Sequence, residues 1–210
     1  MLKALKSYWA FTSGIYKVLM FLVLPILLVV INWSVLQADV GSGLEIFLVL
    51  FYIDTFLDFF FMGGFYCKKN GSFAFLQSSN RFSKFAREIV IVDVVRRVLL
   101  YQIPYIVTLI WTIRNTEQVE WWKTMAYLPW MLAWGAQLVT LVSRHYTTWN
   151  YVYLCGAVGF LIIGIAMAVT LFLEINNWVF SAVLIIGVLS AGWGTCLYTD
   201  KKVRESYYDK

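Results

Sequence analysis

Two carboxylates, Asp54 and Asp58, stand one helical turn apart in the run FYIDTFLDFFF, among apolar and aromatic residues. Adjacent carboxylates withdrawn from water cannot both stay ionised unless cations meet them, because desolvation and mutual repulsion each disfavour the charged form. Their chemistry is therefore proton carriage, with one of them protonated, or ion pairing. The run DVVRR supplies cations. Asp93 precedes Arg97 by four residues and can pair with it along one helix face, which leaves Arg96 for another partner. Counting 1.5 Å per residue from the expected inner helix ends places Asp58 roughly 12 Å deep and Arg96 about 9 Å deep. The sequence thus predicts a pair between Asp58 and Arg96, with Asp54 close by. For Asp54, Asp58 and Arg96 a structural or gating role is favoured over a proton relay, since ionisable residues in such surroundings commonly pair.

No other residue set suggests chemistry of its own. The single histidine, His145, follows Arg144 at an expected loop, and no Ser/His/Asp arrangement accompanies it. Cys67, Cys155 and Cys196 lack paired spacing, so neither a disulfide framework nor a metal site is expected. No glycine is followed by lysine, which excludes a phosphate-binding P-loop. The sequence assigns no catalytic, cofactor-binding or metal-binding residue, and the chain is not expected to be an enzyme.

The elements that must hold these charges are long and apolar. Hydrophobic residues make up 61% of the 210 and charged residues 14%, against about 25% charged in a typical water-soluble domain. Such a chain cannot cover its surface in water, so an integral membrane protein is expected. A helix needs about 20 residues to cross the hydrocarbon core, and six such spans are read at about 16–37, 44–66, 90–113, 124–142, 151–173 and 177–198. The first run contains Pro25 and precedes no small-residue cleavage site, so it reads as a retained span. Pro25, Pro104 and Pro129 fall inside spans, where each is expected to free a carbonyl and kink its helix. Gly164 with Ala168 and Gly187 with Ala191 have the spacing of close helix contacts, expected mainly inside the chain.

Orientation follows from the cations. Lys3, Lys6 and Lys17 precede or open the first span; Lys68, Lys69, Arg81, Lys84 and Arg87 fill the second connection; Arg144 lies in the fourth; Lys201, Lys202, Arg204 and Lys210 follow the last span. The alternate connections ADVGSG and EINN carry none, and the third sets Arg114 and Lys123 against Glu117 and Glu120. Both termini are therefore expected in the cytoplasm of a multi-pass cell-membrane protein. The net charge of +5 belongs to this asymmetry and not to nucleic-acid binding. Trp33, Trp111, Trp121, Trp122 and Trp178 near outer ends, with Trp9 and Trp149 near inner ones, read as interfacial anchors.

The second connection holds more than a basic loop needs. In LQSSNRFSKFAREI, Ser78, Ser79 or Asn80 can cap a helix. Phe82, Phe85, Ala86 and Ile89 then share one face, with Arg81, Lys84, Arg87 and Glu88 opposite. A short amphipathic helix over about 76–88 is expected at the cytoplasmic surface. In MLKALKSYWAFTS, Leu2, Leu5 and Trp9 share a face, which suggests a second interfacial helix over about 1–15.

This order of parts, with the run GSFAFLQSSNRFSKFAREIV, resembles the ABC type-2 exporter permeases. The resemblance implies an all-α polytopic fold with a single transmembrane domain over residues 1–210, an N-terminal elbow helix and a coupling helix between spans two and three. It further implies that Arg81, Phe82, Lys84, Phe85 and Arg87 dock on a separate ATP-binding subunit, which would hold the ATP and Mg that this chain lacks. A second six-span subunit, the same or homologous, would complete the permease. The expected cargo is amphipathic: a peptide, an antibiotic or a lipid-like molecule. The alternatives are the substrate-binding subunit of a vitamin importer and a small membrane enzyme acting on lipids.

Overall fold

A computed structural model of the chain describes residues 2–38, 43–62, 82–115, 122, 125–146, 151–172 and 178–205. Among these residues the protein is all-helical. Helix α1 spans Leu2–Phe11. Ser13 opens α2, Gly14–Gln37, by accepting a hydrogen bond from the Tyr16 amide on its Oγ at 3.2 Å. Within α2 the stretch Leu19–Val23 widens to π-helical geometry directly before Pro25. Pro25 has no N–H to return to the previous turn, and the wider turn accommodates that gap.

Gly43 adopts φ 78 and starts α3, Leu44–Met62. A side chain there would be strained and would press on Thr108 Oγ1 at 3.2 Å. Helix α4 runs without interruption from Phe82 to Asn115, 34 residues including Pro104. After a single 3₁₀ turn at Met125–Tyr127 come α5, Leu128–Tyr146, α6, Tyr151–Phe172, and α7, Trp178–Glu205.

The all-α expectation agrees with this architecture, and one boundary differs in an informative way. Residues 82–88, expected to belong to a separate surface helix, are the first two turns of α4. No glycine or proline falls between Phe82 and Gln102, so nothing in the chain stops the helix where its composition turns from basic to apolar. Residues 76–81 of the expected helix, Arg81 among them, lie outside the described residues, as does residue 1 of the elbow helix. By length and composition, α2 is the described helix able to cross a membrane, while Gly156–Val169 and Val179–Gly194 are shorter apolar stretches within α6 and α7.

Helix α4 is the hub: it packs against α1, α2, α5 and α7 and meets α3, while α5 packs against α3, α6 and α7. Phe47, Phe51, Ile89, Tyr101, Tyr127 and Leu132 are fully buried where these helices converge. Asn32 of α2 staples itself to the proline turn of α4, donating from Nδ2 to the Pro104 carbonyl at 2.8 Å and to Thr108 Oγ1 at 3.1 Å. Facing outward are Val49, Ile53 and Phe56 of α3, and Leu99, Ile106 and Ile110 of α4. Beside this apolar core a cluster of charged and polar groups is also buried, while many large apolar side chains face outward.

Among the described residues the expected internal contacts at Gly164 and Gly187 are not found: no described atom lies within 4 Å of a methyl group added at either. Close approach occurs instead at Gly135, where a methyl group would collide with buried Ile162 of α6, and at Gly156, where it would collide with the Tyr52 hydroxyl. Gly135→Ala is therefore expected to destabilise the fold by about 1–3 kcal/mol through overpacking. Gly164→Ala is expected to be neutral or slightly stabilising, since alanine favours the helix by about 1 kcal/mol. Thermal unfolding of both variants in detergent checks the contrast, and equal shifts would contradict the packing described.

Candidate functional site

The residues that opened the sequence reading converge where α3 meets α4. Asp54 and Asp58 lie one turn apart on α3, and Asp93, Arg96 and Arg97 occupy little more than one turn of α4. Asp54, Asp58 and Arg97 are 0% exposed, Asp93 1% and Arg96 5%, so water screens none of their interactions. Arg96 donates from Nη1 to Asp54 Oδ1 at 3.0 Å, and from Nε and Nη2 to Asp93 Oδ1 at 3.3 and 3.0 Å. Arg97 donates from Nη1 to Asp54 Oδ2 at 2.7 Å and from Nε to Asp93 Oδ2 at 3.1 Å. Its Nη2 stands 2.8 Å from Asp58 Oδ2, a close ion contact whose N–H is not directed at the oxygen.

The expected partner of Asp58 is thus corrected. Asp58 meets Arg97, whereas Arg96 turns to Asp54 and Asp93. The partner is set by the register of α3 against α4 and by the directions of the two guanidiniums, neither of which follows from depth counted along each span by itself. The pairing of Asp93 with Arg97 at four residues' spacing agrees with expectation.

Arg97 is the central cation, touching all three carboxylates, and the sequence reading gave it only Asp93. Two tyrosines were also missed. The Tyr16 ring of α2 lies 5.8 Å from the Arg96 guanidinium carbon, and the Tyr8 hydroxyl of α1 donates to that of Tyr16 at 3.4 Å. Both tyrosines are fully buried. Burial pushes the Tyr8 phenol well above its usual range, so it stays neutral and serves as a hydrogen-bonding lid. Helix α1 is fastened a second time where Ser7 Oγ donates to Glu88 Oε2 at 2.7 Å.

The docking residues read from the sequence divide between two surroundings. Lys84 and Arg87 are exposed. Phe85 is half-buried and packs against the core, while Phe82 is the first residue of α4. Phe85, Ile89, Val92 and Arg96 follow the spacing of a single helix face, so the face that seats the first turns of α4 also carries Arg96.

Chemically this is a latch. Two guanidiniums clamp carboxylates from two helices, with three carboxylates against two cations and so one excess negative charge when all are ionised. A buried network of this kind adds little net stability over an apolar core, but it is severely disrupted by loss of one member. It fixes the register of α3 against α4 and gives that register a discrete, breakable form. The carboxylates are turned onto guanidiniums, and among the described residues no group of His, Cys, Asp or Glu is placed to hold a metal ion. Comparison of the chain with protein-family models, with curated proteins and with solved structures finds no match.

Proposed function

We propose that the chain is the membrane-spanning permease subunit of an ATP-binding-cassette exporter. In this reading it crosses the cell membrane six times with both termini in the cytoplasm and pairs with a second permease subunit. A separate ATP-binding subunit binds ATP and Mg and hydrolyses the nucleotide. The cargo is an amphipathic peptide, antibiotic or lipid-like molecule.

One observation carries the proposal. The exposed cations Lys84 and Arg87 stand on the first turns of the same unbroken helix that bears Arg96 and Arg97 in the buried latch. A push on that cationic end is delivered along a rigid rod to the α3–α4 register without passing through a loop. Helices with two discrete packed arrangements convert small displacements into switching, and the latch supplies one such arrangement. The aliphatic exterior of α3 and α4 supports contact with lipid. Gly164 and Gly187 on α6 and α7, which no described residue covers, suit the approach of a second subunit.

The experiment is purification of the tagged chain from its native membrane, identification of associated proteins by mass spectrometry, and ATP-hydrolysis assays in lipid vesicles. An ATP-binding subunit in fixed ratio, with hydrolysis that depends on the chain, is the expected result. Recovery of the chain without any ATP-binding protein would overturn the proposal.

A further inference from the structure

Where α1 turns into α2, cations and exposed apolar side chains share one surface. Lys17 of α2 is half-buried and holds its ammonium 5.3 Å from the centre of the Trp9 ring of α1, a cation–π contact that fixes an otherwise mobile charge. Phe21, one turn beyond Lys17, meets the same indole at 5.4 Å between ring centres. Lys6 stands one turn before Trp9 on α1 and is exposed, as is Lys3. Among the described residues no carboxylate pairs with Lys3, Lys6 or Lys17. Glu88, which faces α1, is engaged by Ser7 Oγ at 2.7 Å, and Asp93 by Arg96 and Arg97. Directly beside these charges the surface is apolar. Trp9 is 45% exposed, and Val18 and Leu22, at 55% and 59%, lie next to Phe21 on the outer face of α2. A small anion would leave that apolar face uncovered, and a hydrocarbon chain would leave the lysines without a counter-charge. A molecule with both parts answers both.

We propose that this elbow is a binding site for one anionic phospholipid, with its phosphate at Lys6 and Lys17 and an acyl chain along Phe21, Val18 and Leu22. Trp9 marks the boundary between headgroup and chain, the level at which amphipathic indole rings settle. The site rests on the membrane reading of the chain and not on an ATP-binding partner. It also asks more than the positive-inside distribution of lysines does, since that rule requires no lysine to be held in place and no lipid to be selected. The site bears on the latch as well. Tyr8, the chain neighbour of Trp9, donates to Tyr16 beside Arg96, so a lipid that seats α1 also seats the lid.

The test is native mass spectrometry of the purified full chain, titrated in detergent with phosphatidylglycerol or phosphatidylcholine of identical acyl chains. The first phosphatidylglycerol is expected to bind about tenfold to thirtyfold tighter, because each lysine near an anionic headgroup contributes roughly a fivefold factor. Lys6→Gln with Lys17→Gln should erase the preference while keeping the weaker uptake of both lipids. Lys6→Arg with Lys17→Arg should preserve it. So should Lys84→Gln with Arg87→Gln, which removes as much charge from the first turns of α4. Glycerol 3-phosphate should not displace the lipid, because it lacks the chains. Equal affinity of the native chain for the two lipids would overturn the proposal, as would a preference that survives neutralisation of Lys6 and Lys17. Full displacement by glycerol 3-phosphate would overturn it too, by giving the lysines to a soluble anion. A chain that retains neither lipid and does not enter vesicles would overturn the membrane reading and the proposal together, so the two failures are distinguishable.

Discussion

Arg97→Leu is expected to be the most damaging single substitution in the protein, costing about 3–5 kcal/mol, the range for breaking one side of a buried ion pair. The guanidinium meets Asp54, Asp58 and Asp93 at 2.7, 2.8 and 3.1 Å with no exposure to solvent. Its loss leaves three carboxylates and one cation in a dry seam, where they must take up protons or separate the helices. Arg97→Lys should recover only part of the loss, because one ammonium cannot reproduce a fork directed at several carboxylates. Asp58→Asn should be mild by comparison, since it removes the excess negative charge and leaves Asp54 and Asp93 against two cations. For the same reason Asp58→Asn should soften the effect of Arg97→Leu. Thermal unfolding in lipid nanodiscs of the two single variants and the double variant gives the coupling, expected to be at least about 1 kcal/mol for residues in one network. Strict additivity would show that Asp58 and Arg97 do not share the network described.

The outcome at these residues also shows what helical spacing can and cannot reveal. Asp93 and Arg97 were legible as a pair because a helix fixes neighbours four residues apart on one face. The clustering of Asp54 and Asp58 with the DVVRR run was legible because buried charges require partners. Which arginine meets which aspartate was not. That depends on the register of two helices, which depth counted along each one by itself does not fix. The sequence places basic residues over 81–87 and apolar ones from Ile89 onward, a change of environment that resembles a change of element. Backbone continuity is decided by other residues, and none of those from Phe82 to Gln102 breaks a helix. Tyr8 and Tyr16 stayed hidden because the path from α1 to the latch passes through the turn at Ser13, and hydrophobic periodicity says nothing of where such a turn sends its helices.

The same continuity of α4 yields the second large expected effect, and it separates seating from docking. Phe85 is half-buried against the core on the face that continues through Ile89 and Val92 to Arg96. On the opposite side, Lys84 and Arg87 are exposed. Reversing both cations, Lys84→Glu with Arg87→Glu, should leave the fold nearly untouched, since changes at exposed positions usually stay within about 0.5 kcal/mol. If these cations meet acidic groups of an ATP-binding subunit, the same pair of changes replaces attraction with repulsion. Like charges brought together at an interface cost several kcal/mol, so association should fall by at least about tenfold and transport with it. Raising the salt concentration should narrow the difference between native and reversed chains, because exposed charges are screened over about 10 Å at 0.1 M. Phe85→Asp should behave in the opposite order. It drives a carboxylate into the seam beneath the first turns of α4, an expensive burial without a partner, so thermal stability should fall before association is measured. Phe85→Leu keeps apolar area at that point and should be close to native. Co-purification with the proposed ATP-binding subunit, read beside unfolding temperature for each variant, distinguishes the two behaviours. A charge-reversed chain that remains stable and still binds its partner at native affinity would remove the docking role from α4, and the latch would then stand as a purely structural clamp.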